Sequence, residues 1–584
     1  MYDEWGIAHG YHDVNGQWHD TPPVTRDQLR ALLADAPAAD PLWFVDEGSS
    51  HAMWGRCRLT LEDGSDRGEV DHLPGDVPIG YHVLTPLDGG PATKLVVAPR
   101  RCPAPPRGWG VAAQVYSLWR HDGWGIGDLR DVAELGQHIA ARGAVAVLLS
   151  PLHAPAPTHP QESSPYYPSS RRWLNPLLIP IAGERPGGLT NAPGTLIDRD
   201  GVWSAKRSFL AQRFAAEGGG GQWRSWARAQ GPDLWRFATW NALADRHGAQ
   251  WAQWPEHLRH PDSPAVGDLP LHDHSFANAC EFHAWLQWLA RAEVRHATAA
   301  AGVALISDLA VGNSPDGADA WIYQDLIARG VRIGAPPDPF NADGQDWGLP
   351  PFVPSRLRAA HYAPFIAMLR AACEGMGGVR IDHVMGLFRQ FWVPDGGSPA
   401  DGAYVQMPAQ ELLAIIRLEA TRAGTFVVGE DLGTVQPGVR EAMRDGGMLG
   451  TKVWWFDPSP AEWPEGNLAT VTTHDLPTVA GVCAGTDGND EMRALLTAAV
   501  GTAADAVTAA VALHAQVTAS DCVLTLAAFD DLAGCTERPN RPGTVDRANW
   551  SLRMPGATEQ ILTNQPGREI VDALASRTNR AQAQ

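Results

Sequence analysis

The rhythm of apolar and polar positions changes twice along the chain. Residues 1–37 read as a short helical lead-in, where RDQLRALLAD carries apolar side chains at helical spacing behind a capping Thr25. From 38 to 104 the spacing shortens to runs such as PLWFV, RCRLTL, IGYHVLTP and TKLVVAP, parted by EDGSD and LDGG. Alternation over so few residues between turn signals predicts a small antiparallel β-sandwich. The proline-rich RRCPAPPRGWG then reads as a linker into the main body.

Over 105–584 near-continuous apolar runs alternate with helical patterns. The runs AAQVYSL, AVAVLLSPL, GVALISDLAV, GVRIDHV, TFVVGEDLG, TKVWWFD, LATVTTHD and CVLTLAAFDD are strand candidates. Helices such as DLRDVAELGQHIAARG, AQELLAIIRLEATRAG and PGVREAMRDGG stand between several of them. Strands apolar on both faces belong to a parallel sheet covered on both sides. Eight repeats favour an α/β fold of the closed (β/α)8 TIM-barrel type over an open sheet. A large insertion at about 152–302 separates the second and third strands; it begins Pro- and Ser-rich, turns helical, and is broken by GGGG at 218–221. Its tryptophans, Trp203 to Trp288, read first as helix packing.

Composition narrows the function. Apolar residues make up 44%, which excludes a disordered or fibrous chain. A net charge of −20 without a basic arm speaks against nucleic acid and anionic lipid as partners. The N-terminal MYDEWGIAHG has neither a basic nor an apolar signal region, and no apolar run is long enough to span a bilayer. Seven cysteines without C-x-x-C spacing argue against a disulfide framework or a structural zinc site, so the expected location is the cytoplasm. The 24 tryptophans tilt the reading toward sugar rings, on which indole faces stack.

In a barrel of this type, chemistry sits at the C-terminal ends of the strands. Those ends carry Asp308 on strand three, Arg380-Ile381-Asp382-His383 on strand four, Glu430-Asp431 on strand five and His474-Asp475 on strand seven. Convergent carboxylates suit glycosidic chemistry, which needs one ionised nucleophile and one protonated acid. Each has a structural alternative. Arg380 and Asp382, two apart on a strand, make a possible ion pair; Asp475 before Leu476-Pro477 is a possible helix N-cap; Glu430-Asp431 is a possible turn. No Walker motif, dinucleotide fingerprint or metal-ligand cluster stands out, so neither cofactor nor metal is expected.

At GVRIDHVMG, VVGEDLG and TTHDLPT the sequence resembles the amylomaltases, or disproportionating enzymes, the 4-α-glucanotransferases of glycoside hydrolase family 77. QVYSLWRHDGWGIGDLRD, SPYYPSSRRWLNP, DLAVGNSPDGADAW, GAPPDPFNADGQDWGLPPF and ERPNRPGT fit the same family in order, so the likeness runs over roughly 105–555. The resemblance implies that Asp382 is the nucleophile, Glu430 the general acid and base, and Asp475 the transition-state stabiliser. It further implies that Asp308, Arg380, His383 and His474 surround the sugar at the cleavage point and that Tyr166 stacks on it. Arg380 is expected to keep Asp382 ionised. The segment 341–350 reads as a loop over the cleft, with Gln345 and Trp347 meeting the acceptor glucan. Asn540, Pro542 and Gly543 fall in a loop after strand eight, where a structural role and substrate contact stand level.

Ser307 and Asn313 depart from the family pattern without touching the chemistry. Strand eight and its helix take up most of the chain beyond Asp475, leaving no room before Gln584 for the C-terminal β-domain of α-amylases. The expected partners are α-1,4-glucans. Hydrolysis of the same bond, or silent glucan binding, are the alternative activities, and oligomeric state is not legible.

Overall fold

The computed structural model describes residues 2–13, 16–34, 40–337, 343–544 and 547–582. The fold is a (β/α)8 barrel with additions. Its strands are β1 (Gly108–Ala113), β2 (Ala146–Leu149), β3 (Ala304–Leu309), β4 (Gly378–Ile381), β5 (Phe426–Gly429), β6 (Gly450–Val453), β7 (Asn467–Thr470) and β8 (Leu524–Ala528). All eight expected strands form, but β1 is shifted: it starts at Gly108, inside the stretch read as linker, and ends at Ala113, after which Val115–Ser117 of the expected run make a short 3-10 turn.

The chain divides into two compact units that cut across the expected domain lines. The larger comprises Pro105–Ile322, Gly375–Arg380 and Thr451–Gln584; the smaller comprises Met1–Ala104, Tyr323–Glu374 and Ile381–Gly450. In the larger unit β3, β2, β1, β8 and β7 pair side by side and in parallel. Residues such as Val111, Val147, Leu305 and Leu526 are almost fully buried, as expected of strands covered on both faces. At Gly110 a Cβ would lie 2.1 Å from the carbonyl oxygen of Ala146, so only glycine lets β1 and β2 come this close. In the smaller unit, the β5 end is braced by Glu430 N–H to Ile381 C=O (3.0 Å) and Gly429 N–H to Leu449 C=O (2.8 Å).

The helix after β1, Leu129–Ala140, opens on a capping box between Asp128 and Asp131. Arg120 binds both carboxylates, and fully buried Lys206 donates to the carbonyls of Leu177 (2.7 Å) and Ile179 (2.9 Å). The insertion is helical, as expected, with Arg199–Glu217, Gly221–Ala229, Pro232–His247, Pro264–His272 and His274–Ala301. Trp203, Trp223, Trp240, Trp251, Trp254 and Trp285 are buried there, so helix packing accounts for them, whereas Trp235 is exposed.

The smaller unit departs from the sequence reading in three places. The lead-in begins with an antiparallel hairpin, Gly10–His12 with Trp18–Asp20, too short to leave a readable alternation. The following helix is Pro23–Leu33; its cap position is Pro22, while Thr25 lies inside it and donates to the Asp401 carbonyl at 2.7 Å. Proline at the first helical position sets the start earlier than a threonine cap would. The boundary expected at residue 37 lies outside the described residues.

The strands Leu42–Asp46, His51–Thr60, Asp66–Leu73, Gly80–Pro86 and Thr93–Ala98 form one mixed five-stranded sheet, not two facing sheets. Alternation along the last of these explains why. Leu95 and Val97 join a core made by the sheet itself with Cys57, Leu59, Leu73 and Leu84, while Val96 and Ala98 pack on Ala414 and Leu418 of the helix Ala409–Ala423. A helix supplies the layer that a sandwich would take from a second sheet.

The third difference concerns the expected cleft loop. Gln345–Leu349 is a β-strand at the edge of a four-stranded antiparallel sheet with Val331–Ala335, Arg389–Pro394 and Ala403–Gln406. Glycines at 344 and 348 take positive φ, which the sequence shows only as loop-like punctuation. Asn341 and Ala342 lie outside the described residues. Among the described residues, no helix is long and apolar enough to cross a membrane.

Candidate active site

The larger unit gathers Tyr166, Asp308, Arg380, His474, Asp475 and Asn540 into one bonded group. Asp308, near the end of β3, is 3% exposed and takes Arg380 Nη1 on both carboxylate oxygens, at 2.7 and 2.8 Å. Arg380 thus serves Asp308 directly, on the neighbouring strand. The Tyr166 hydroxyl donates to Asp308 Oδ2 at 2.6 Å and lies 3.3 Å from His474 Nδ1. The two rings stack, with centroids 4.7 Å apart.

Asp475 follows β7. Its Oδ1 accepts from the Asn540 amide at 2.6 Å, its Oδ2 lies 3.4 Å from His474 Nε2, and Asn540 N–H also donates to the His474 carbonyl at 3.0 Å. Desolvation works against the charged carboxylate, but His474, the Asn540 amide and Arg380 outweigh it, holding Asp475 below the usual carboxylate range. Burial pulls His474 down while Asp475 pulls it further up, so the imidazole sits above its ordinary value. The N-cap alternative for Asp475 fails, because Thr478 caps the helix Val479–Ala484 through its side chain to Gly481 N–H. Asn540 is accounted for by Asp475 and His474, whereas Pro542 and Gly543 make a turn.

Sequence reasoning passed over Trp550. Its ring lies 5.2 Å from Tyr166 and 5.3 Å from His474, and its φ of 61° is left-handed, a strained state for a bulky residue. Buried Arg199 donates to the Trp550 carbonyl and holds it there. One tryptophan among 24, in a loop without periodicity, carries no signal that would have singled it out.

The smaller unit holds Asp382, His383, Glu430, Gln345 and Trp347. Asp382 is the first residue past β4 and is partly buried. His383 takes φ 46°, and this left-handed turn aims its N–H at Glu430 Oε2, 2.9 Å away. Glu430 Oε1 accepts Leu432 N–H at 2.8 Å, and the Glu430 carbonyl accepts Val384 N–H at 2.9 Å. The carboxyl group is therefore oriented by two backbone donors. Asp431 beside it is buried and paired with Arg440 at 2.7 Å, a structural role. Burial, with Arg389 second, pushes the His383 imidazole down to about 4, so it is neutral at pH 7. The Trp347 ring stands edge-on to His383 at 5.0 Å and its Nε1 donates to Gln345 Oε1 at 3.1 Å. Gln345 thus fixes the indole that the sequence placed beside it.

Comparison with known proteins follows the same lines. A family model described as 4-alpha-glucanotransferase matches residues 113–559. The 4-alpha-glucanotransferase of Mycobacterium tuberculosis is 37% identical, over 91% of this chain and 87% of its own length. That of Haemophilus influenzae is 33% identical, over 82% of this chain and 78% of its own. Among solved structures, the amylomaltase from Corynebacterium glutamicum has a TM-score of 0.81 at 28% identity and covers 98% of both chains. The amylomaltase from Streptococcus agalactiae, solved in complex with acarbose, shares the fold at a TM-score of 0.69 and 19% identity, over 81% of this chain and 99% of that one. With the family model spanning most of the chain and relatives above 30% identity matched over 87% and 78% of their own length, the chain belongs to the 4-alpha-glucanotransferase family.

Proposed function

We propose that this protein is a 4-α-glucanotransferase that moves an α-1,4-glucan segment from a donor maltooligosaccharide to the 4-hydroxyl of an acceptor glucan or glucose. The family match over residues 113–559 carries this reading. The carboxylates just past β4, β5 and β7 give it a mechanism.

Asp382 attacks the anomeric carbon as Glu430 protonates the departing 4-oxygen, leaving a glucosyl ester on Asp382. Glu430, now a carboxylate, takes the proton of the incoming hydroxyl, which attacks the same carbon and frees Asp382 with net retention. Asp475, kept ionised by its neighbours, binds the donor sugar most strongly in its oxocarbenium-like geometry. Tyr166, stacked on His474, faces the same sugar, with Asp308 and Arg380 fixing the tyrosine hydroxyl. His383, neutral at pH 7, is free to bond a sugar hydroxyl without adding charge. Gln345 and Trp347 meet the acceptor, and by keeping water from the ester they favour transfer over hydrolysis. The chemistry needs no cofactor, because side chains carry both proton transfers. Seven free cysteines and a charge of −20 fit a cytoplasmic protein acting on neutral glucans.

Incubation with maltotriose tests the reading. A ladder of longer and shorter glucans at constant total reducing ends is the expected result. Reducing ends that climb with time would make the protein a hydrolase instead.

A further inference from the structure

A buried acid outside the carboxylates discussed so far governs the loop that carries Asn540. Asp487 lies in the turn between the helices Val479–Ala484 and Asp490–Val500, and its side chain is 3% exposed. Its Oδ1 accepts from Arg538 Nη2 at 3.0 Å, Arg541 Nη2 at 2.7 Å and Gly488 N–H at 2.9 Å; its Oδ2 lies 3.0 Å from Arg538 Nε. Arg538 also donates through Nη1 to the Asp475 carbonyl at 2.6 Å. A third guanidinium, Arg547, donates to the Arg538 carbonyl and pairs with Glu537 at 2.9 Å.

These contacts bracket Asn540. Arg538 and Arg541 stand on either side of it in sequence, and both end on the same carboxylate. Two guanidiniums drawn to one carboxylate repel each other unless that anion lies between them, and with Asp487 buried, Arg538 largely so and Arg541 half-exposed, water screens them only in part. Burial pulls Arg538 down, Asp487 opposes that pull, and Arg541 and Arg547 add to it. The anion at 487 therefore allows the loop to close with its positive charges packed together. In this loop arrangement the Asn540 amide lies 2.6 Å from Asp475 Oδ1.

We propose that Asp487 is a positioning residue for the transfer reaction: by clamping Arg538 and Arg541 it holds the Asn540 amide on Asp475 and so fixes the orientation of the Asp475 carboxylate. The inference rests on the reading of Asp475 as the group that stabilises the transition state. A carboxylate that acts mainly in the transition state loses rate, not ground-state affinity, when it turns away. A small misplacement at such a group is enough to cost a factor of ten to a hundred.

The experiment measures kcat and KM on maltotriose for Asp487→Asn, Asn540→Ala and the double variant, with thermal melting of each. Asp487→Asn is expected to lower kcat by about tenfold or more while KM stays within about twofold. The double variant is expected to be no slower than Asn540→Ala, because both changes release the same contact. Asp487→Glu, which keeps the charge, is expected to regain part of the rate. Fully additive losses, or an Asp487→Asn enzyme with the parent kcat, overturn the proposal. If Asp487→Asn does not fold, Arg541→Gln at a half-exposed side chain removes one arm of the clamp, and the same kcat-only loss is required of it. Asp475→Asn is the control: an active Asp475→Asn enzyme defeats the reading of Asp475, whereas an inactive one beside an unaffected Asp487→Asn defeats only the clamp.

Discussion

Glu430→Gln is ordinarily a shape-neutral change, but the surroundings of Glu430 make it a demanding one. Both side-chain oxygens accept backbone N–H groups, from Leu432 at 2.8 Å and from His383 at 2.9 Å. A carboxyl group keeps both bonds whether or not it is protonated, because each oxygen retains a lone pair in the plane. An amide cannot. Either way round, its NH2 faces a backbone N–H, so one donor loses its acceptor and meets another donor. An unsatisfied buried donor costs about 1–3 kcal/mol, and the half-buried position puts Glu430→Gln near the lower end, about 1 kcal/mol. Spread over the unfolding entropy of so long a chain, this should lower melting by about one degree.

The chemical loss is larger. Without a proton to give, cleavage of maltotriose should slow by about 10²–10⁴-fold. A maltosyl fluoride donor expels fluoride without needing protonation, so Asp382 should still take the maltosyl group as an ester, and mass spectrometry of the variant should find that adduct. Parent-like turnover of maltotriose would remove Glu430 from the acid role. Unchanged melting would refute the double N–H geometry.

Other outcomes are expected away from the acid. His153 accepts Ala310 N–H on Nε2 and is pushed down to about 3 by burial, then Arg171 and Arg291, well below its unfolded value near 6.5. The unfolded chain thus binds the extra proton as pH falls below about 6.5, so stability drops; His153→Gln should recover about 2 kcal/mol of the loss between pH 7 and 5 in urea titrations, and an unchanged pH slope would contradict this. Lys206→Met strips the donor from the Leu177 and Ile179 carbonyls and should cost about 2–4 kcal/mol by the same method; a neutral result would mean water replaces the ammonium. Trp347→Ala should raise the KM for a glucose acceptor by about tenfold and increase the hydrolysed share of product, read as new reducing ends; an unaltered acceptor KM would take Trp347 off the acceptor side.

Much of this was legible from one-dimensional pattern. Several barrel strands are written as apolar runs such as AVLL at 146–149 and FVVG at 426–429, because a strand buried on both faces has few polar positions to spare. The carboxylates and histidines stand at the ends of those runs, so the barrel topology alone nominates Asp308, Asp382, Glu430 and Asp475. What escaped was set by contacts distant in sequence. The five strands of 42–98 read as a sandwich because alternation shows that two faces exist without showing what covers each; the helix Ala409–Ala423 covers one of them. Gln345–Leu349 became a strand because Val331–Ala335 offered an edge to pair with, against its loop-like glycines.

The sequence by itself determined the barrel, its large helical insertion and the acids at its strand ends, since burial periodicity and strand termini are local properties of the chain. Only the tertiary structure decided that Arg380 serves Asp308, that Asn540 serves Asp475, that the His383 turn orients Glu430, that Trp550 packs beside Tyr166 and His474, and that Asp487 binds Arg538 and Arg541 on either side of Asn540. A hydrogen bond is a property of two positions at once, and the second of each pair lies dozens of residues away, where no local pattern points to it.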